Sequence, residues 1–123
     1  MCIRDSFELA FRTFAGGKRA FVLVFADLVD DAAARALVSA VPVLARRHRV
    51  CVASVRDEAL DAILTRPPAD LRDAYAMSVA LEMRHARALA AHRVRAAGAI
   101  VVEARPERFA GACVSAYARA RWR

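Results

Sequence analysis

The chain has 123 residues, which is enough for one domain with a single core but not for two. Hydrophobic residues make up 59% of the chain and charged residues 27%, a mixture typical of globular proteins that excludes disorder. The longest apolar run, Ala20–Ala26, is too short for a membrane span. The net charge of +7 would suit nucleic acid or an anionic membrane. Because the arginines are scattered without stacking aromatic residues, we interpret the charge as the codon bias of a GC-rich genome.

The first six residues do not read as natural protein. Met1–Ser6 back-translates to a sequence that resembles the end of a transposase sequencing adaptor read in frame. We therefore expect residues 1–6 to be an adaptor-derived artefact. Residues 7–123 are then expected to be one piece of a longer domain.

Three apolar segments predict β-strands. Ala20–Ala26 is apolar on both faces, which is typical of a central strand in a parallel sheet covered by helices on both sides. His48–Val55 and Ala99–Val102 are the other two strand segments, and both are rich in valine. Their alternation with helical patterns predicts an α/β fold with right-handed crossovers and a parallel sheet flanked by helices.

Five segments predict helices, each from its apolar spacing or its cap residues. Pro42 lies inside the second of them, where we expect a kink or a break. The fourth is the longest, and its apolar stripe begins at Leu71 and includes Tyr75, Val79 and Met83 as core positions, with Arg87 on the opposite face. The predicted helices are Phe7–Ala15, Asp31–Arg47, Asp57–Leu64, Asp70–Ala97 and a final one beginning at Pro106.

Ligands of open parallel sheets gather at the carboxyl ends of the strands, so these ends are the candidate sites. They present Asp27, the pair Arg56-Asp57, and Glu103 with Arg105. Asp27 directly follows the most apolar strand, where a carboxylate could bind Mg²⁺ or Mn²⁺ through oxygen. Alternatively, Asp27 caps a turn, which is the commoner role of an aspartate there.

Other chemistry-bearing residues show no catalytic pattern. The sequence contains no glycine-rich phosphate loop after a strand and no serine nucleophile elbow. His48, His85 and His92 have no third metal ligand at suitable spacing and are expected at the surface. Cys51 and Cys113 lie in apolar surroundings and are expected to be buried, reduced thiols. We therefore predict no catalytic residue and no enzymatic activity.

Several short motifs follow one another along the chain: Phe21–Asp30, Leu44–His48, Ser54–Asp57, Pro67-Pro68, Asp73–Tyr75 and Gly98. In their order and spacing they resemble the bacterial domain of unknown function fifty-eight family. That resemblance implies the C-terminal half of a von Willebrand A-like domain, with Asp27 at the position of the last aspartate of a metal-ion-dependent adhesion site. The Asp-x-Ser-x-Ser loop of that site would lie upstream, and Ala26 replaces the commoner threonine.

The resemblance implies a parent protein with N-terminal membrane helices, anchored in the bacterial inner membrane, with this domain in the cytoplasm. A MoxR-type AAA+ ATPase is the implied protein partner, in the assembly of other complexes. The leading hypothesis is therefore a non-enzymatic protein-interaction domain that does not bind nucleic acid. Two alternatives are an enzyme or phosphoacceptor using Asp27, and a basic module that binds nucleic acid or a membrane surface. The Phe21–Phe25 strand is expected to have one unpaired side.

Overall fold

The structure is a computed structural model that describes residues 3–121. Met1 and Cys2, part of the predicted artefact, lie outside the described residues, while the backbone from Ile3 onward continues the first helix. The order of helices and strands agrees with the order predicted from sequence. The elements are α1 (Ile3–Ala15), β1 (Phe21–Phe25), α2 (Asp31–Ala45), β2 (Arg49–Val55), α3 (Glu58–Thr65), α4 (Leu71–Ala96), β3 (Ile100–Ala104) and α5 (Pro106–Arg121).

The three strands form one parallel sheet in the order β1-β2-β3, as predicted. Side chains alternate between the faces of a strand, and β2 shows this most clearly. Val50 and Val52 pack in a cluster with α2 and α4, while Cys51 and Ala53 pack in a second cluster with α5. Helices therefore cover both faces of the sheet, and the predicted α/β architecture is confirmed.

Strand β1, predicted to be a central strand of a longer domain, lies at the edge of the described sheet. It pairs with β2 through the backbone of Ala20 and Ala26, since Ala20 accepts from Arg49 N and Ala26 N donates to Ala53. In this parallel register the odd-numbered residues of β1 turn their N–H and C=O groups away from β2. Within residues 3–121, the expectation of an unpaired side is confirmed.

Helix α2 is continuous from Asp31 to Ala45. Of the kink or break predicted at Pro42, the break is therefore wrong, and the kink stays a prediction. The proline removes one N–H donor, which leaves the carbonyl of Val38 without its usual helical partner. The helix persists because Val41 and Leu44, on either side of Pro42, are fully buried against the sheet. Tertiary packing thus outweighs the local cost of the proline.

The apolar stripe predicted for α4 is buried only in its C-terminal half. Leu71 is 87% exposed and Tyr75 is also exposed, so their assignment to the core is wrong. A helix of 26 residues is about 39 Å long, whereas a five-residue strand spans about 16 Å. The first turns of α4 therefore extend past the sheet, and α4 also contacts α3.

No helix among residues 3–121 is both long and apolar enough to cross a bilayer.

His48 was expected at the surface, but it is 4% exposed and holds three segments together. Its Nδ1 accepts a hydrogen bond from the backbone N–H of Ala20 at 3.1 Å. Its Nε2 lies 2.8 Å from the carbonyl oxygen of Phe14, which makes Nε2–H the donor of the neutral ring. His85 and His92 are exposed, as predicted.

Cys51 and Cys113 are both buried in the cluster beneath α5, as predicted. Burial, together with a smaller effect of the neighbouring Cys113, raises the pKa of the Cys51 thiol to about 11. A thiol with such a pKa is protonated near neutral pH and is a poor nucleophile. Both cysteines therefore serve as small packing residues.

We predict that His48→Ala lowers the free energy of unfolding by about 2–3 kcal/mol, because Ala20 N–H and the Phe14 carbonyl lose their partner together. Urea denaturation measures the change. His92→Ala is the matched control, since His92 is exposed on α4 and its loss changes stability by less than about 0.5 kcal/mol. Equal stability of the two variants would show that the His48 hydrogen bonds do not hold α1 to the sheet.

We also predict that the isolated chain self-associates through the outer side of β1, because this edge is apolar and carries no charge within Phe21–Phe25. Phe25→Lys places a charge at the edge and lowers the associated fraction in sedimentation velocity. Leu71→Lys adds the same charge at an exposed residue away from the sheet and leaves association unchanged. A wild-type chain that sediments as a monomer at high concentration would refute this prediction.

Candidate functional site

A cleft of about 580 Å³ lies at the carboxyl ends of β1 and β2. This is the place where parallel sheets bind ligands, because helix N-termini and flexible connections converge there. Its floor includes the last residues of both strands, and Phe109 of α5 closes one side. The predicted residues Asp27, Arg56 and Asp57 all line it, whereas Glu103 and Arg105 do not.

Asp27 has a turn-capping role in the cleft. Its Oδ1 accepts a hydrogen bond from the backbone N–H of Val29 at 3.0 Å, and the Nη2 atom of Arg87 lies 3.6 Å from the same oxygen. The carboxylate remains 68% exposed, so its other oxygen is open to a ligand. Asp30 separately caps α2 by accepting from Ala32 N and Ala33 N.

The side chains of Arg56 and Asp57 are also fixed by contacts with neighbouring residues. The Asp57 carboxylate caps α3, accepting from Ala59 N at 2.9 Å and Leu60 N at 3.4 Å. Arg56 reaches forward to Asp61 at 3.3 Å. Such capping bonds stabilise the helix start by about 1 kcal/mol and fix the carboxylate in place.

Arg87 is the residue of this cleft that the sequence prediction misplaced. It was assigned to the solvent face of α4, yet its side chain is only 14% exposed. Its Nη2 donates to the carbonyl of Val55 at 3.3 Å. The available signal was its register, because Arg87 is spaced seven residues from Ala80 and four from Ala91, and both alanines are buried.

Two buried polar atoms near the cleft have no hydrogen-bond partner among residues 3–121. They are the Nε of Arg87 and the Oγ of Ser54. Ser54 is the sixth residue of β2 and lies on the same face as Val50 and Val52, which α2 and α4 cover. A buried hydroxyl without a partner costs about 1–3 kcal/mol, so Ser54 is a poor choice for stability alone.

Potential metal-ligating side chains are not grouped together in the part of the chain that the structure describes. No group of three or more histidine, cysteine, aspartate or glutamate side chains within residues 3–121 could hold a metal ion. Asp27 supplies one carboxylate, whereas a hard divalent cation takes about six oxygen ligands. The Arg87 guanidinium beside Asp27 also competes for the same oxygen. Binding of Mg²⁺ or Mn²⁺ by Asp27 in the parent protein stays a prediction.

Comparison with known protein families, with curated proteins and with solved structures gives no match for this chain. The structure confirms the α/β class with a three-stranded parallel sheet and five helices within the described residues. The von Willebrand A-like relationship stays a prediction from the sequence motifs.

We predict that Ser54→Ala raises the free energy of unfolding by about 1 kcal/mol, because it removes a buried hydroxyl that has no partner. Thermal or urea unfolding measures the change. Cys51→Ala is the matched comparison on the same strand, since it removes a buried packing atom and lowers stability. A destabilised Ser54→Ala variant would mean that the hydroxyl is bonded in solution.

Proposed function

We propose that this chain is a non-enzymatic protein-interaction domain, the C-terminal half of a von Willebrand A-like fold, that binds its partner at the carboxyl end of the sheet. One observation carries the proposal. Phe25, the last residue of β1, is 64% exposed and lines the same cleft as the exposed side chain of Asp27.

An exposed aromatic ring next to a fixed charge is characteristic of a binding surface. Aromatic residues are enriched at the centres of protein interfaces, where they supply most of the binding free energy. The Phe25 ring lies 5.8 Å from the ring of Phe109, so the two form one apolar patch at the cleft. Asp27 and Arg87 add a polar border that would fix the orientation of a partner.

The charged residues around the patch support a binding role over a catalytic one. Asp27 and Asp57 each accept backbone N–H bonds that hold a turn or a helix start. Arg56 and Arg87 are each paired with a carboxylate. A general base or nucleophile needs freedom to exchange a proton or attack a substrate, and these groups are engaged structurally instead.

The partner we propose is a MoxR-type AAA+ ATPase, with a role in assembling or maturing other complexes. The domain would lie in the cytoplasm, attached to a parent anchored in the bacterial inner membrane by N-terminal helices. In that parent an additional strand would pair with the outer side of β1. The cleft would stay open, because it lies at the strand ends and not along the strand edge.

We predict that Phe25→Ala in the intact parent weakens binding to the MoxR-type ATPase about 30-fold, the loss expected for a central aromatic anchor. Biolayer interferometry with the purified ATPase measures the affinity. Leu71→Ala removes an apolar side chain that is 87% exposed on α4, and its affinity stays within about twofold of wild type. Wild-type affinity in Phe25→Ala would exclude the cleft as the interface.

A further inference from the structure

The topology collects capping aspartates at the carboxyl end of the sheet and a separate group of arginines at the amino end. Aspartates follow the carboxyl ends of β1 and β2 and begin the helices, where they cap. The sequence contains no acidic residue between Asp31 and Asp57, and none between Glu82 and Glu103. These two stretches contain the helix ends and strand starts that meet at the amino end. Arginines scattered in the sequence therefore converge there in space.

A pocket of about 230 Å³ lies at the amino end, and four arginines line it. Its lining within the described residues contains no carboxylate. None of these arginines forms an ion pair with a residue in 3–121, in contrast to Arg56 and Arg87 at the other end. The four are Arg19 before β1, Arg46 and Arg47 after α2, and Arg49 at the start of β2.

Gly98 shapes the other wall of this pocket. Its φ of 113° lies in the left-handed region, which lets the chain turn sharply from α4 into β3. A Cβ atom at this position would lie 3.2 Å from the Cβ of Ala45, so the turn packs closely against the end of α2. The end of α2 and the start of β3 thereby enclose the basic pocket.

Helix dipoles do not account for this many cations. The ends of α2 and α4 face the pocket, and each helix end carries about half a negative charge. Together they offset about one of the four arginine charges. The surplus creates a positive potential inside a concave surface, which concentrates anions.

We propose that this amino-end pocket binds the phosphate group of an anionic ligand, either a free phosphate ester or a phospholipid headgroup. Guanidinium groups pair with phosphate oxygens through two parallel hydrogen bonds. Four arginine residues line this one small pocket. His48 takes no part, because both ring nitrogens are bonded to backbone groups. Within residues 3–121 the pocket lining contains no Phe, Tyr or Trp ring on which a nucleic-acid base could stack, and the His48 ring is buried. This lining favours phosphate over a nucleic acid.

Isothermal titration of the full chain with inorganic pyrophosphate at low ionic strength tests the site. We expect the double variant Arg46→Gln/Arg47→Gln to bind about tenfold more weakly than wild type. Arg66→Gln/Arg72→Gln removes the same charge from exposed residues near the start of α4, and its affinity stays within about twofold. Equal weakening in both double variants, or no pyrophosphate binding by the wild-type chain, would overturn the site.

Vesicle sedimentation then distinguishes the two sources of phosphate. Binding to phosphatidylcholine vesicles that contain phosphatidic acid, lost in Arg46→Gln/Arg47→Gln, assigns the pocket to a lipid headgroup. Pyrophosphate binding without vesicle binding assigns it to a free phosphate ester. The proposal would be overturned by a single-stranded oligonucleotide that binds the chain more tightly than pyrophosphate and the vesicles do, and that binds the two double variants equally well. Because the pocket lies opposite the Phe25 cleft, loss of ATPase binding has no bearing on these outcomes.

Discussion

The burial of β2 between two layers of helices is the constraint on which the rest of the structure depends. Its side chains alternate between the cluster under α2 and α4 and the cluster under α5, and Val50 to Ser54 are all buried. Its backbone pairs with β1 on one side and β3 on the other. A strand buried in this way must have parallel neighbours joined by crossover helices. That topology in turn sends helix starts to one end of the sheet and helix ends to the other.

Both proposed sites follow from this division. Capping aspartates collect at the carboxyl end because helices begin there, and their bonds hold the border of the Phe25 cleft. Basic residues collect at the amino end because helices finish there, and the chain places four arginines around one pocket. The two ends therefore differ in charge without any long-range sequence motif. Four arginines that are scattered along the sequence therefore lie together once the chain is folded.

Periodicity predicted the order of elements because the apolar runs are strong and separate, as in Phe21–Phe25. It failed where the environment of a residue depends on distant segments. Tyr75 fits an apolar stripe, yet it is exposed because α4 is longer than the sheet beneath it. His48 is buried because α1 and the start of β1 both meet it, which no local pattern reveals. Arg87 was misplaced for a similar reason, because its side of α4 is identified only by its spacing from the buried residues Ala80 and Ala91.

Native-state hydrogen exchange of the chain, at a concentration low enough to keep it monomeric, tests the central place of β2 most directly. The account predicts that the amides of Cys51, Val52 and Ala53 exchange only on global unfolding, because they are buried and paired with β1 and β3. The outward amides of Leu23 and Phe25 should exchange quickly. Two results would contradict a sheet built around β2 with β1 at its open edge. One is rapid exchange of the β2 amides, and the other is protection of the Leu23 and Phe25 amides as strong as that of the β2 amides.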